Sequence, residues 1–454
     1  MRLIDCRDFA SDDYREVVPR GEFDVAAATA VVAPICEAVR VEGETALRRY
    51  SAQFDRVVPD QLRLDPAQLE HAANQLTPTL RAAFATAIER RRQVCEREAI
   101  ADRRVDLDPG AAVTIRSIPV DRVGLYVPGG LAPLASSVIM NVVPAQVAGV
   151  RSLALATPPQ AAFAGLPHPT VLALCHLLGI NEVYAVGGAQ AIAMFAYGVE
   201  GLCPSVDLVT GPGNIYVVAA KRLLKGVVGI DSEAGPTEVC ILADSTASPQ
   251  FIAADLVSQA EHDPSAGAVL VSDDADLIAQ VEVELADLVA RTLHRERVEM
   301  ALAGAQSAAI LVRDLTQGIA VANAYAAEHL EIMTANASAV AAQITNAGAI
   351  FVGDYAPVSL GDYSAGSTHV LPTSGTARHS SGLNVASFIK TVHVIDYDAA
   401  ALAKIAPEIE AFALAENLPG HAQAIAVRSG EHRNLENQEG GDPLTPASSL
   451  GGRP

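Results

Sequence analysis

The chain has no tryptophan, and aromatic residues make up only 4% of its 454 positions. Its cores must therefore be assembled from Ala, Val, Leu and Ile, which suit parallel sheets covered by helices. The six cysteines, at 6, 36, 95, 175, 203 and 240, include no Cys-x-x-Cys pair. A chain of this length needs no disulfide staples, so reduced thiols in a cytoplasmic protein are the expectation. Positive charge is scarce: 32 Lys and Arg stand against 53 Asp and Glu, a formal charge of -21. That acidic field repels phosphate backbones and disfavours a general nucleic-acid binder. The short run Arg90-Arg91-Arg92 reads as a solvated helix face or a subunit contact. No apolar stretch is long and featureless enough to span a membrane; residues 136–150 are too few and suit a buried helix. Residues 1–10 carry Arg2, Asp5, Arg7 and Asp8 and lack the apolar core of a signal peptide. What the chain has is hydrophobicity, 50% of residues with a mean hydropathy of +0.24, which favours well-buried cores over disorder. Its length implies several domains.

Residues 22–102 read as mostly helical, with apolar residues at helical spacing over 31–50 and 69–100. Pro109-Gly110 breaks that pattern, and 113–118 and 123–127 read as short strands. Strands then alternate with helices: helix 138–148, strand 152–156, helix 171–178, strand 182–186, helix 189–197, strand 207–210 and helix 215–224. This rhythm predicts a parallel sheet. A second series begins with strand 239–242. Ser248 is placed to cap the next helix, with Pro249 in its first turn, and that helix carries Gln259 and His262. Strands at 268–271, 308–312 and 349–352 alternate with helices at 277–293 and 321–330. Residues 354–382 are rich in Gly, Ser, Thr and Pro, a length of loop that marks function or disorder. Order resumes at 385–388 and 392–395, followed by helices near 398–416 and 418–426. The polar tail 431–454 is expected to be disordered.

Several polar residues interrupt these apolar segments. Gln259 and His262 lie three apart on an expected helix and so share a side. With Asp362, in Gly361-Asp362-Tyr363, and His421, after Pro419-Gly420, they offer the imidazole, carboxylate and amide donors that suit zinc or manganese. Each one alone fits a hydrogen-bonded polar residue equally well. Glu328-His329, at the end of an expected helix, can divide proton-transfer work, the imidazole titrating near neutrality and the acid activating water. The alternative is a helix-end histidine paired with a surface carboxylate. Gly187-Gly188 and Gly211-Pro212-Gly213-Asn214 each follow a strand and precede a helix, where parallel sheets bind ligands. Together with Tyr126-Val127-Pro128-Gly129-Gly130 they outline a nucleotide crevice that lacks the GxGxxG fingerprint. Ala234-Gly235-Pro236-Thr237-Glu238 is another strand-edge loop, in which Thr237 offers a hydroxyl to a polar substrate.

These segments, with Gly187 to Ile192, Ser258 to Pro264, Glu328 to Glu331 and His369 to Thr373, occur in an order that resembles the histidinol dehydrogenase family from about residue 25 to 425. The resemblance implies an α/β fold of two Rossmann-like parallel-sheet domains with small flanking segments, in an intertwined homodimer. It places a terminal segment at 1–25 and a discontinuous catalytic domain at 26–131 and 237–378. A nucleotide-binding-like domain follows at 132–236, a dimerisation segment at 379–430 and the tail at 431–454. It also implies NAD-linked, four-electron oxidation of L-histidinol to L-histidine through an aldehyde-level intermediate, closing histidine biosynthesis. In such enzymes zinc is held by residues matching Gln259, His262, Asp362 and His421. Substrate touches those four together with Thr237, His329 and Glu416, and NAD touches Tyr126, Gln190 and Asn214. His329 is the implied base and Glu328 the group that activates water. Glu416 and His421 are implied to come from the neighbouring subunit. Thr237 stands where many members carry serine and keeps the hydroxyl. Ser367-Thr368 stands where many carry Pro-Asn, which alters a loop without removing a proposed catalytic group.

Overall fold

A computed structural model describes residues 1–429 apart from 10, 12, 22, 23, 130–132 and 234. Gly130, Ala234 and the tail 431–454 therefore lie outside the described residues. The chain divides into two compact units, one formed by residues 1–99 and 119–389, the other by 100–118 and the segment from 390 onward.

The first unit is built on two parallel sheets. One has five strands, in the order Val183–Ala185, Ser152–Thr157, Arg122–Tyr126, Leu208–Thr210 and Gly229–Ile230. The alternation read from the sequence produces it, and it also takes Arg122–Tyr126 as its central strand, a segment the resemblance had grouped with the other α/β domain. Helices Val25–Glu42, Gly188–Tyr197 and Ile215–Leu224 bury Ala, Val and Ile side chains on one face, and Ser136–Ala148 and Pro169–Leu177 cover the other. With both faces covered, the strands are predominantly apolar, as in other parallel sheets.

The second sheet has six strands, in the order Arg2–Asp5, Ala308–Leu311, Gly267–Ser272, Glu238–Ala243, His329–Met333 and Ala349–Val352, and every pairing is parallel. Helices Pro249–Ala260, Ala275–Arg291 and Arg295–Ala303 pack on one face and Leu315–Tyr325 on the other. The edge strand Arg2–Asp5 was not legible, because it is short and half charged and is defined by its partner Ala308–Leu311.

Two local expectations change. The helix expected to reach residue 330 ends at Tyr325, where Ala326 adopts a left-handed conformation with φ 50°. His329 then opens a strand, and every residue of His329–Met333 is buried. Ladder bonds to strands on both sides override the helical reading, since strand formation depends on its neighbours more than on propensity. Ser248 occupies the cap position before Pro249, but its side chain makes no capping bond.

The second unit pairs Arg103–Asp108 antiparallel with Ala111–Pro119 around Pro109-Gly110. Ile389–Tyr397 lies on the other side of Ala111–Pro119, followed by helices Ala399–Ala415 and Pro419–Ser429. All six residues of Arg103–Asp108 are exposed, so the alternation of Val105 and Leu107 with charged residues marks no buried face. Among the described residues all six cysteines are free and buried. No described helix is long and apolar enough to cross a membrane.

Candidate active site

The site is assembled from opposite ends of the two sheets in the first unit. Glu238 and His329 open neighbouring inner strands of the six-stranded sheet. Tyr126 and the glycine turns stand where strands of the five-stranded sheet end. A cavity of about 830 Å³ is lined by Pro128, Gly129 and Asn214 from one sheet and by His262, Asp362 and Tyr363 from elements around the other. The helix Pro78–Glu98 contributes Leu80, Phe84 and Ala87 to its wall.

The acid–imidazole pair is fixed by the strand beside it. His329 is 4% exposed, and its Nδ1 lies 3.1 Å from the Glu238 carbonyl oxygen. A carbonyl only accepts, so Nδ1 carries the proton and Nε2 is the basic nitrogen. That Nε2 is buried and has no hydrogen-bond partner. Burial lowers the ring to about 4, against the opposing pull of Asp362 and the Glu238 carbonyl, so His329 is neutral at physiological pH. Glu328 is equally buried. Its Oε2 accepts from the Thr237 hydroxyl at 2.6 Å and from the Glu238 amide at 3.0 Å, and it stands 3.6 Å from His329 Nδ1. Burial pushes its carboxyl well above the carboxylate range, although both donated bonds pull the other way.

Beside this pair lie three of the four expected metal donors. Gln259 is 1% exposed and its Nε2 donates to Thr237 Oγ1 at 2.8 Å. Thr237 gives its own proton to Glu328, so it accepts from the Gln259 amide, and Gln259 Oε1 is left as a buried acceptor without a partner. His262 is not on the helix as expected. The helix ends at Ala260, and His262 follows in the closing turn, its amide donating to the Gln259 carbonyl at 3.3 Å. His262 Nε2 and Asp362 Oδ2 approach to 3.9 Å, beyond hydrogen-bond distance. His421 and Glu416 belong to the second unit, in the helix Pro419–Ser429 and just after Ala399–Ala415. Among the described residues no three His, Cys, Asp or Glu gather as a metal cluster; one of the four expected donors is an amide and another sits on the other unit.

The loop 354–382 is ordered by residues the sequence did not single out for function. His369 Nδ1 donates to the Asp362 carbonyl at 3.1 Å, and its Nε2 lies 3.0 Å from the Ser137 hydroxyl. Glu331 accepts from the Val358 amide at 2.8 Å, at the start of the short helix Val358–Tyr363 that carries Asp362. The basic run was read as a solvated face or subunit contact, yet Arg91 is 1% exposed and donates to the carbonyls of Gly366 and Leu383. Arg90 donates to the Ser364 carbonyl. A charge run in sequence does not show which guanidinium faces inward.

At the nucleotide-like end, Tyr126 is buried and its hydroxyl accepts from the Gly188 amide at 3.0 Å. Gln190 is 1% exposed, within the helix Gly188–Tyr197. Asn214 is exposed and caps the helix Ile215–Leu224 by accepting from the amides of Tyr216 and Val217. The Gly211 turn is clamped by a buried Lys221–Asp231 ion pair: Gly211 donates to Asp231 at 2.8 Å, and its carbonyl accepts from Lys221 at 3.1 Å. Gly211 has φ +117°, and a Cβ built there would run into the Tyr126 carbonyl oxygen. Replacing Gly211 with alanine is therefore expected to cost about 1–3 kcal/mol through forced backbone movement. A denaturant midpoint unchanged from wild type would contradict that close approach.

Two parallel sheets, one carrying a buried acid–base pair and the other a crevice of glycine turns, define an α/β oxidoreductase. The chain belongs to the histidinol dehydrogenase family, which it matches over residues 18–429. It is 64% identical over 435 residues to the histidinol dehydrogenase of Cutibacterium acnes, covering 94% of this chain and 99% of that one. It is 59% identical over 416 residues to that of Thermobifida fusca, covering 92% and 95%. The crystal structure of histidinol dehydrogenase from Elizabethkingia anophelis superposes with a TM-score of 0.89 at 32% identity, over 94% of this chain and 98% of that one.

Proposed function

We propose that this chain catalyses the NAD-linked, four-electron oxidation of L-histidinol to L-histidine, with His329 as the base and Glu328 as the group that activates water. The observation that carries the reading is the unpartnered, buried and unprotonated Nε2 of His329 opening an inner strand beside Glu328. Oxidising an alcohol to an acid removes two hydrides and adds one water oxygen, so protons leave from two different oxygens. His329 Nε2 takes the hydroxyl proton as the first hydride departs. Glu328 then takes a proton from the water that adds to the aldehyde, and His329, after passing its first proton to solvent, takes the proton released as the second hydride departs. Burial of both groups keeps the reactive aldehyde away from bulk solvent.

The donor set fits a zinc ion. Gln259 Oε1 is a buried acceptor without a partner, and His262 and Asp362 face each other without bonding. Gln259, His262 and Asp362 with His421 would hold zinc, which when bound positions the substrate's amine and imidazole. The charge on Asp362 is one cause that raises Glu328, so a cation held by Asp362 favours the carboxylate form that water activation needs. NAD, when bound, accepts each hydride, and the crevice edged by Pro128, Gly129 and Asn214 is where it would lie, with Tyr126 and Gln190 as its further contacts.

The site is completed in a homodimer, with Glu416 and His421 supplied across the subunits and substrate also meeting Thr237. In support, the second unit leaves Leu107, Ile395 and Phe412, large apolar side chains, exposed at 56%, 72% and 68%. The setting is the cytoplasm, and the substrate is a small molecule, with neither nucleic acid nor membrane involved. Purified dimer given L-histidinol should form two NADH per histidine, with activity lost on chelation and restored by zinc. Fully metallated dimer that forms no NADH would point to another alcohol.

A further inference from the structure

Glu238 closes the loop Gly235-Pro236-Thr237 and opens the central strand, yet the proposed chemistry leaves its side chain without a task. Its backbone touches both members of the acid–imidazole pair. The amide donates to Glu328 Oε2 at 3.0 Å, and the carbonyl accepts from His329 Nδ1 at 3.1 Å. One residue thus orients the acid and fixes the tautomer of the base. Its side chain enters a buried cluster. Arg20 Nη1 donates to Glu238 Oε2 at 2.6 Å, and the Tyr325 hydroxyl stands 3.4 Å from the same oxygen. The Arg20 guanidinium lies over the Tyr325 ring, 4.0 Å from its centroid, a favourable cation–π geometry. Glu238 and Tyr325 are 6% and 1% exposed. A buried carboxylate held on one side only by a guanidinium is costly to unpair, so the cluster resists displacement. Gly267, the strand neighbour of Glu238, leaves the room it occupies: a Cβ there would come within 3.2 Å of both Glu238 Cβ and the Tyr325 hydroxyl.

We infer that Glu238 is a positioning residue for the reaction, and that the Arg20–Glu238–Tyr325 cluster holds the backbone which sets the tautomer of His329 and the orientation of Glu328. The segment before residue 25, expected only to flank the fold, thereby reaches the chemistry through Arg20. Tyr325 does so from the last turn of its helix, just before the chain reverses into the strand of His329.

This rests on His329 being the base, and the test separates the two. The first oxidation is followed as NADH formed in a single turnover with L-histidinol, by the zinc-loaded dimer. Wild type, Glu238→Gln, His329→Asn and the double variant are compared, with KM and zinc content recorded. Glu238→Gln keeps the volume and removes the charge opposite Arg20. It is expected to slow the step about 10- to 100-fold, the scale of a small misplacement of a reacting group. KM and zinc content should stay within about twofold, since no substrate or metal contact is touched. In the His329→Asn background the same change should add almost nothing, because effects exerted through one group are not additive. Nitrogen-15 shifts of the His329 ring should show one tautomer in wild type and a mixture in Glu238→Gln. A loss under threefold with an unchanged tautomer would overturn the inference, and so would a loss of equal size in both backgrounds. Full activity in His329→Asn alone would instead remove the base, whatever Glu238 does.

Discussion

Replacing His329 with asparagine is expected to lower turnover by about 10²- to 10⁴-fold, the usual worth of a positioned base. The change is narrow. An asparagine amide can still donate to the Glu238 carbonyl, as Nδ1 does at 3.1 Å, but it has no lone pair to match the unpartnered Nε2. Both oxidations lose their proton acceptor, so NADH formation from histidinol and from the aldehyde should fall together. Zinc content should not change, because His329 is not among the expected ligands. Stopped-flow NADH formation with metal analysis on the same sample checks both halves. A variant that turns over at the wild-type rate would sink the assignment of His329. One that is inactive and has also lost zinc would show instead that His329 acts through the metal.

Glu328→Gln is the second large expectation, and its signature is asymmetry. The amide oxygen can accept the bonds that the Thr237 hydroxyl and the Glu238 amide now give to Oε2, so the local frame should persist. What is lost is the capacity to take a proton from water. Oxidation of the aldehyde should slow by about 10²-fold or more while oxidation of the alcohol changes little. The two half-reactions are read separately by supplying histidinol or histidinal in single turnover. Equal slowing of both would mean that Glu328 shapes the site without activating water.

The sequence carried the architecture further than it carried the site. Alternating apolar runs between 138 and 224 marked strands and helices within a few residues, because both faces of a parallel sheet are covered and its strands are predominantly apolar. Arg2–Asp5 escaped because it is defined by its partner strand rather than by its own pattern, and Arg103–Asp108, which alternates Val105 and Leu107 with charged residues, was passed over for its high charge. The strand of His329 was read as helix end because a short apolar run fits either period. His369 and Glu331 were quoted in motifs, and Arg91 in a charge run. Their bonds to the Asp362 loop connect positions separated by as many as 275 residues, and no spacing rule spans such a distance.

By itself the sequence determined an acidic, aromatic-poor α/β chain, its division into alternating blocks, the ordered motifs that place it in its family, and the residue types able to handle protons, metal and nucleotide. Tertiary structure alone decided which ends of which strands meet. It set the tautomer of His329 through the Glu238 carbonyl, left Gln259 Oε1 without a partner by committing Nε2 to Thr237, and turned Arg20 and Tyr325 inward onto one carboxylate. The reason is physical. Side-chain type fixes what a group can donate or accept, whereas protonation, tautomer and free valence depend on what the fold brings within about 3 Å of it.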